Sequence, residues 1–577
     1  MEIKNRLTLL RNLLAEQDIS AMIIPSNDPH FGEYVPDYYK TIEWLTGFTG
    51  EAGTLVVAQE SAALWTDSRF FVQAEAQLQG TGVQLMKLKV EGTPSIQQWL
   101  KENLQEGDIV AMDEELFSYQ EYSSMVDELS PLTPSLIEDP FDVIWEDRPS
   151  LQFNPIRYVD ETITGESVAS KHSRLVEKLS GPVPFAYIVT ALDEICWLCN
   201  IRGTDVEYNP LVLSYAVVTP ENIHLFLMEQ MMEASAINIL SEQGVIFHPY
   251  EDIVKFLTNL PKDCIRIYSS GKISAKNFFA SMENIHHNAP FAPYAADPMA
   301  GGVLANMKAV KNEVELAGFR KAYAEDAKAQ IKFFNWIKEN VNNGITEYQA
   351  ALKLIEFRSE CPDYLGESFP PIVAYGPNAA LPHYGPSEEV SSVILPKGFL
   401  LIDTGAHYTY GTTDTTRTLA VGELTQEQKD DYTAVLKGMI NLSMAKFNKG
   451  TRGAQLDMLA RGPIMARGKI YWHGTSHGIG HNLCVHEGPQ SIRMEENSVP
   501  LALGMVLSNE PAVYIVGEYG IRIENTIVVA PWMKNEFAEF YQFETLNVLP
   551  INTEPINYDM LDEPHKQWLE EYNSRCL

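Results

Sequence analysis

Three stretches in the C-terminal half carry residue types suited to divalent-cation chemistry. In GFLLIDTGAHYTYGTTDTTRTLAV (398–421) an apolar run ends on Asp403, a turn containing glycine and tyrosine follows, and a second strand-like run starts around Asp414. A hairpin there brings the two carboxylates near each other. An aspartate ending a buried-looking strand needs a compensating charge or hydrogen bonds, although such a pair taken alone is more often a turn-capping feature. Four of the chain's 13 histidines, His473, His477, His481 and His486, fall in YWHGTSHGIGHNLCVHEGP (471–489), interleaved with Gly474, Gly478 and Gly480. Glycines at this density let backbone approach a ligand closely. Glu510 and Glu524 interrupt apolar strand-like runs, and Arg522, two residues before Glu524, shares its face of a strand. One inward glutamate is explained by an ion pair with that arginine; two, added to the aspartate pair and the histidine loop, are not.

Four carboxylates with a histidine form a hard, oxygen-rich donor set of about four negative charges, which fits two divalent ions better than one. It suits manganese, with cobalt or zinc as substitutes. The absence of thiolates from the set disfavours a structural zinc site.

The surrounding chain supplies the elements that must position these groups. The long run after residue 312 has Leu316, Phe319, Tyr323, Ala327, Ile331 and Phe334 on one helical face, and Thr346/Gln349 and Thr425/Gln428 read as capping boxes opening two more helices. Strand-like runs at 398–403, 416–421, 505–515 and 520–530 complete an α+β domain. The first half reads as a duplicated α/β module, with Trp44-Leu45 and Trp197-Leu198 in matching places after the strands at 21–25 and 185–189. The expected domains are 1–140, 141–307 and 308–577. Cys196 and Cys199 form a lone C-x-x-C in apolar sequence, read as packed thiols, and Trp568, Leu569 and Tyr572 read as a terminal helix packing on the catalytic domain.

Composition bounds the function. A net charge of −34 over 577 residues argues against nucleic acid. No apolar run reaches the roughly 18 residues of a membrane span, and the charged N-terminal segment reads as an amphipathic helix, not a signal peptide. Six dispersed cysteines suggest a reducing compartment, with the cytoplasm as the expected address.

D-T-G-A (403–406) with Asp414, H-G-T-S-H-G-I-G (473–480), H-E-G-P (486–489), N-E-P (509–511) and G-I-R-I-E-N (520–525) together resemble the "pita-bread" metallopeptidases. SNDPHFGEY (26–34), GFTGEAGT (47–54), WTDSRFF (65–71), WEDRP (145–149) and NIRGTDVEYNP (200–210) extend the resemblance to the three-domain Xaa-Pro aminopeptidase family. The resemblance implies two creatinase-like modules before a pita-bread catalytic domain. It implies that Asp403 binds one metal, His477 and Glu510 the other, and that Asp414 and Glu524 bridge them. His383, His486 and Glu510 are implied to be catalytic, and Arg69, His383, His473, His477, His486, Glu510 and Arg522 to line the substrate site, with Glu33 near the substrate's N-terminus. Ser476 and Ala512 stand where glycine is commoner, which bears only on pocket shape. The implied reaction is attack of a metal-bridging hydroxide on the bond preceding proline in the second position, in a homodimer paired through the catalytic domain. The rivals are a prolidase acting on dipeptides and a non-catalytic binding protein; the duplicated module and the intact ligand positions argue against each in turn.

Overall fold

The computed structural model describes residues 2–181, 183–269, 272–283 and 294–577. Its residues gather into two compact units. The first comprises Met1–Tyr158, Ser167–Pro298 and Gly302–Leu304; the second comprises Val159–Glu166, Met299–Gly301 and Ala305–Leu577.

The first unit holds two six-stranded sheets built alike. In the first, the order is Gln84–Lys87, Ala62–Thr66, Thr54–Ala58, Ala21–Pro25, Ile109–Asp113, Thr133–Ile137. In the second it is Val245–Pro249, Ile223–Leu227, Tyr215–Val218, Phe185–Val189, Ile265–Tyr268, Tyr294–Ala295. Each opening strand pairs antiparallel with the next hairpin strand and parallel with the strand on its other side. The duplication read from the two tryptophans is therefore real. Trp44 lies on helix Thr41–Thr46 and Trp197 on helix Leu192–Leu198, each following its module's opening strand.

Several conserved-looking motifs of this unit turn out to tie it together. Trp145 of WEDRP stacks on Trp44 with centroids 5.0 Å apart, and Arg148 bonds Asp139 and Asp142 at 2.7 Å each. His30 is buried between the modules, its Nδ1 against the Thr190 carbonyl at 2.9 Å and its Nε2 against the Tyr250 hydroxyl at 2.8 Å. Tyr119 stacks on Phe278, and Lys276 pairs with Glu114 and Glu115. Cys196 and Cys199 are fully buried, and burial pushes the Cys196 thiol up to about 12, so both stay protonated packing groups.

The second unit is α+β. Helix Glu313–Asn340 opens on a capping box from Asn312, whose side chain also donates to the Thr164 carbonyl at 2.8 Å. The boxes at Thr346 and Thr425 form as the spacing predicts. A three-stranded sheet joins Ile372–Tyr375, Phe399–Thr404 and Thr415–Ala420, and Tyr519–Arg522 pairs with Ala512–Ile515 in a hairpin. A six-stranded sheet runs Lys446–Asn448, Glu539–Thr545, Asn525–Lys534, Val506–Asn509, Ser476–Gly478, Glu487–Ile492. Among the described residues no helix is long and apolar enough to cross a membrane.

The terminal helix Glu563–Ser574 reaches toward the chemistry through a buried guanidinium. Arg417 donates to the Tyr572 hydroxyl at 2.9 Å, to the Leu549 carbonyl at 2.7 Å and to the backbone carbonyls of Thr416 and Glu524. The Tyr572 hydroxyl in turn donates to the Leu549 carbonyl at 2.8 Å. Removing that hydroxyl leaves buried polar groups short of a partner, at about 1–3 kcal/mol. We expect Tyr572→Phe to lower the thermal midpoint followed by circular dichroism, and deletion of 563–577 to lower it much further. An unchanged midpoint in both would show that the helix is dispensable to this unit.

Candidate metal centre

Backbone pairing brings the acidic residues together. Asp403 sits at the end of Phe399–Thr404, directly opposite Thr416, and Asp414 precedes Thr415–Ala420. Gly405 is what lets the strand leave Asp403 so sharply: a Cβ there would lie 2.0 Å from the Thr413 carbonyl. Asp414 is fixed from the long helix, its backbone N–H donating to the Tyr323 hydroxyl at 3.1 Å. Glu524 lies between two strands, its N–H on the Thr416 carbonyl at 3.1 Å and its Oε2 accepting from the Thr416 hydroxyl at 2.8 Å. Glu510 follows Val506–Asn509, its N–H bonded to the Thr475 carbonyl at 3.0 Å.

His477 comes from the short strand Ser476–Gly478, with its N–H on the Ser508 hydroxyl at 3.0 Å. Its Nδ1 contacts the Gly478 carbonyl at 2.9 Å, so the proton belongs there and Nε2 carries the lone pair. That lone pair faces Asp414 Oδ2 at 3.3 Å and Glu510 Oε1 at 3.4 Å. Electron-rich atoms aimed at one another require a cation between them or a proton. One ligand atom from each of Asp414, His477 and Glu524 lies within 4.8 Å of the others.

Two buried carboxylate oxygens at the site, Asp403 Oδ1 and Glu524 Oε1, have no hydrogen-bond partner among the described residues. Burial, then the Asp414, Glu510 and Asp403 charges, hold the Glu524 carboxyl well above the usual carboxylate range. Glu510 is pushed up to about 7, chiefly by burial, with His477 and Arg522 acting the other way. The fixed positive charge beside them is Arg522, whose three nitrogens are committed: Nη2 to Asp403 Oδ2, Nη1 to the Tyr514 hydroxyl, Nε to the Thr416 hydroxyl at 3.2 Å. The orphaned oxygens, the histidine lone pair and the mixed oxygen/nitrogen donors fit divalent cations held by Asp403, Asp414, His477, Glu510 and Glu524.

The other histidines divide. His486 packs edge-on to His477, with centroids 4.3 Å apart. His473 contacts the Tyr514 hydroxyl at 3.0 Å and lies 4.0 Å from Glu510; burial, then the charges of Arg522, Arg461 and His383, lower it to about 3, so it is neutral near pH 7. His383 is therefore within electrostatic reach of this cluster, on a loop after the turn Gly376–Ala380. His481 instead turns into the core against Phe319. Ala512 is accommodated in the core, fully buried. Arg69 and Glu33 belong to the first unit, where Arg69 grips Asp67 through two nitrogens at 2.9 and 2.8 Å. Tyr323, Thr416 and Tyr514 were not singled out by the sequence as site residues, because a tyrosine at helical spacing and a threonine in a strand look like packing.

Residues 317–531 match the Metallopeptidase family M24, with its C-terminal region at 539–577. Residues 6–139 and 147–315 each match a Creatinase/Prolidase N-terminal domain. A Probable Xaa-Pro aminopeptidase P of Coprinopsis cinerea is 34% identical over 99% of this chain and 94% of its own length. Its counterpart from Metarhizium acridum is 37% identical over 99% and 95%. Among solved structures, an X-prolyl aminopeptidase from Caenorhabditis elegans, described as a cytosolic enzyme with a di-nuclear active site, superposes with a TM-score of 0.92 at 32% identity, covering 100% of this chain and 95% of that one. An Xaa-Pro dipeptidase from Bacillus anthracis, at 22% identity and a TM-score of 0.53 over 67% of this chain and 99% of its own, shares the fold alone. Two creatinase-like α/β modules precede an M24 catalytic domain, and the chain belongs to the Xaa-Pro aminopeptidase P family of M24 metallopeptidases.

Proposed function

We propose that this chain is a metal-dependent aminopeptidase that releases the N-terminal residue from peptides with proline in the second position. The observation that carries the reading is the convergence of Asp414, His477 and Glu524 within 4.8 Å, in a chain whose likeness to Xaa-Pro aminopeptidases P runs its whole length. This chain carries two creatinase-like N-terminal modules, and the relatives named Xaa-Pro aminopeptidase P match it over both, which favours this activity over a dipeptidase.

Asp403 and Asp414 with His477, Glu510 and Glu524 would hold two divalent ions, Mn2+ before Co2+ or Zn2+ given four carboxylates and one imidazole. When bound, such ions supply Lewis acidity toward the peptide carbonyl and lower the pKa of water at the site. Glu510 accepts and returns a proton at a carboxylate oxygen. His383 and His486 donate to the developing oxyanion or to the leaving proline nitrogen. Neutral His473 and Tyr514 line the pocket, and Arg522 reaches substrate chiefly through Asp403 and Tyr514, which it holds. Proline lacks an amide N–H, so a wall offering no acceptor there favours X-Pro bonds. Arg69, and Glu33 with it, are the residues of the N-terminal half that the resemblance assigns to substrate contact.

The division 1–140, 141–307 and 308–577 follows the same reading, as does a cytoplasmic address. A homodimer through the catalytic domain is consistent with Trp532, Met533 and Phe537 exposed on one hairpin at 43%, 43% and 84%; light scattering at the mass of one chain would overturn it.

Metal removal should destabilise the protein, and more so at higher pH. The folded-state pKa of Glu510 is raised from 4.5 to about 7, so the metal-free fold keeps a proton that the unfolded chain has lost, and its stability falls as pH rises through that window. Cations replace the proton in the loaded protein. The gap in thermal midpoint between chelated and Mn2+-reloaded protein should widen from pH 5 to pH 7.5; a constant or narrowing gap contradicts the charge argument.

Kinetics separate the activity from its rival. Reloaded enzyme should cleave X-Pro-X tripeptides well and X-Pro dipeptides poorly, and the reverse would make it a prolidase. Glu510→Gln and His383→Ala should each lower kcat by roughly 10²–10⁴-fold. Near-normal turnover of either variant with metals restored would remove that residue from the mechanism.

A further inference from the structure

His383 is carried by a segment with little architecture of its own. Between Ile372–Tyr375 and Phe399–Thr404 the only regular element among the described residues is the turn Gly376–Ala380; around His383 the bonds are local, such as Tyr384 N–H to the Leu381 carbonyl at 3.1 Å, and the far end is tied by the Ile394 N–H to the Ile345 carbonyl at 2.9 Å and by the Tyr348 N–H to the Ser391 hydroxyl at 2.9 Å. Residues 387–390 at its tip are exposed. A loop so built does not by itself hold an imidazole to the tolerance that catalysis demands.

What joins its two ends to each other and to the neighbour of His383 is one carboxylate. Glu347, the first residue of helix Glu347–Ser359, is fully buried. Its oxygens accept from the Tyr375 N–H at 2.6 Å, the Ser392 N–H at 2.6 Å, the Asn378 amide at 3.1 and 3.0 Å, and the Tyr384 hydroxyl at 2.7 Å. These donors come from both ends of the segment and from the residue next to His383. The Asn378 amide also reaches the Ser392 hydroxyl at 3.0 Å, and the Glu347 N–H donates to the Ser392 carbonyl at 3.0 Å. Among the described residues no lysine, arginine or histidine forms an ion pair with Glu347. Four converging donor groups and the helix N-terminus stabilise the buried charge instead. Only an acceptor-only group suits that arrangement.

The turn is also pressed against the site from the other side. A Cβ on Gly520 would lie 1.7 Å from the Ala379 carbonyl, so the loop base seats directly on the strand Tyr519–Arg522.

We propose that Glu347 is a positioning residue for His383, and that its carboxylate sets the loop from which that imidazole reaches the substrate. The proposal rests on the reading of His383 given above. It does not involve the cation ligands, so it predicts loss of turnover without loss of metal.

A double-mutant cycle tests it on the full chain, reloaded with Mn2+ and assayed with an X-Pro-X tripeptide. Glu347→Gln keeps the volume but points an amide N–H2 at donors, breaking at least one of the closing bonds. We expect kcat to fall by about tenfold or more, with metal content measured by elemental analysis unchanged. In a His383→Ala background the same substitution should change kcat by less than about threefold, because the two act as one unit. Losses that multiply instead, or a Glu347→Gln enzyme that turns over like the parent, overturn the proposal. Near-normal turnover of His383→Ala alone overturns the His383 reading and the proposal with it, whereas multiplying losses with an impaired His383→Ala overturn the proposal alone. If Glu347→Gln does not fold, Tyr384→Phe removes a single donor and must show a smaller loss that likewise vanishes without His383.

Discussion

The second unit is organised around charge that it cannot neutralise from within. Asp403, Asp414, Glu510 and Glu524 share one largely buried space, and Arg522, whose guanidinium meets the Asp403 carboxylate, is otherwise committed to two hydroxyls. Taking carboxylates out of water is expensive unless each gains a partner. Here Asp403 Oδ1 and Glu524 Oε1 gain none. A fold that maintains this arrangement has been shaped to receive cations, and the raised carboxyls of Glu510 and Glu524 express the same deficit in protonation. Packing alone would be better served by apolar side chains in these positions.

Holding mutually repelling groups in place needs rigid backbone, and three buried arginines supply it. Arg358 bonds Asp326 and donates to the Thr404 hydroxyl and, at 3.1 Å, to the Gly405 carbonyl, beside Asp403. Arg417 holds the backbone of Thr416 and Glu524. Arg461 is paired with Asp457 and donates to the carbonyls of Tyr471 at 2.6 Å and His473 at 2.8 Å. A guanidinium offers five donors and does not deprotonate, so each can gather several oxygens from separate segments while keeping its charge. Asp326 carries the same restraint to the other aspartate, accepting from the Thr413 hydroxyl at 2.8 Å just before Asp414. The ligands are thus fixed at the backbone before any cation arrives.

What the sequence disclosed and what it withheld follow from this division. Ligands at strand ends interrupt apolar runs, so Asp403, Glu510 and Glu524 stand out against their neighbours, and the paired modules repeat a pattern dense enough to read. Capping boxes at Thr346 and Thr425 are local and were legible for that reason. The restraints were not. Tyr323 sits at helical spacing among leucines and phenylalanines, yet its hydroxyl meets Asp414 and Thr526. Glu347 looks like an ordinary acidic residue in the first turn of a helix, and His30 is only one letter of the SNDPHFGEY motif, although it joins two modules. Each of these roles depends on residues far away along the chain, which no local period reports.

The two kinds of site residue also differ in how they are anchored. The proposed cation ligands come from strands or their ends, and the strands themselves set their spacing. His383 and His486 come from loops, and each loop is gripped by a buried glutamate with its own donors. Glu347 gathers the first. For the second, Glu487 follows His486 directly, is fully buried, and accepts from both Lys308 and Lys311. Those lysines follow directly on the boundary expected at 307/308, so the opening of the last domain is part of the restraint on the loop of His486. Separate anchorage has a chemical consequence. We expect a change at Glu347 to move His383 relative to the peptide without touching a proposed cation ligand, whereas Glu487 opens the strand that pairs with Ser476–Gly478 and therefore bears on His477 as well. The reverse does not hold, because Arg522 joins Asp403 to Tyr514 and through it to His473, and a shift of that carboxylate is felt directly in the pocket wall.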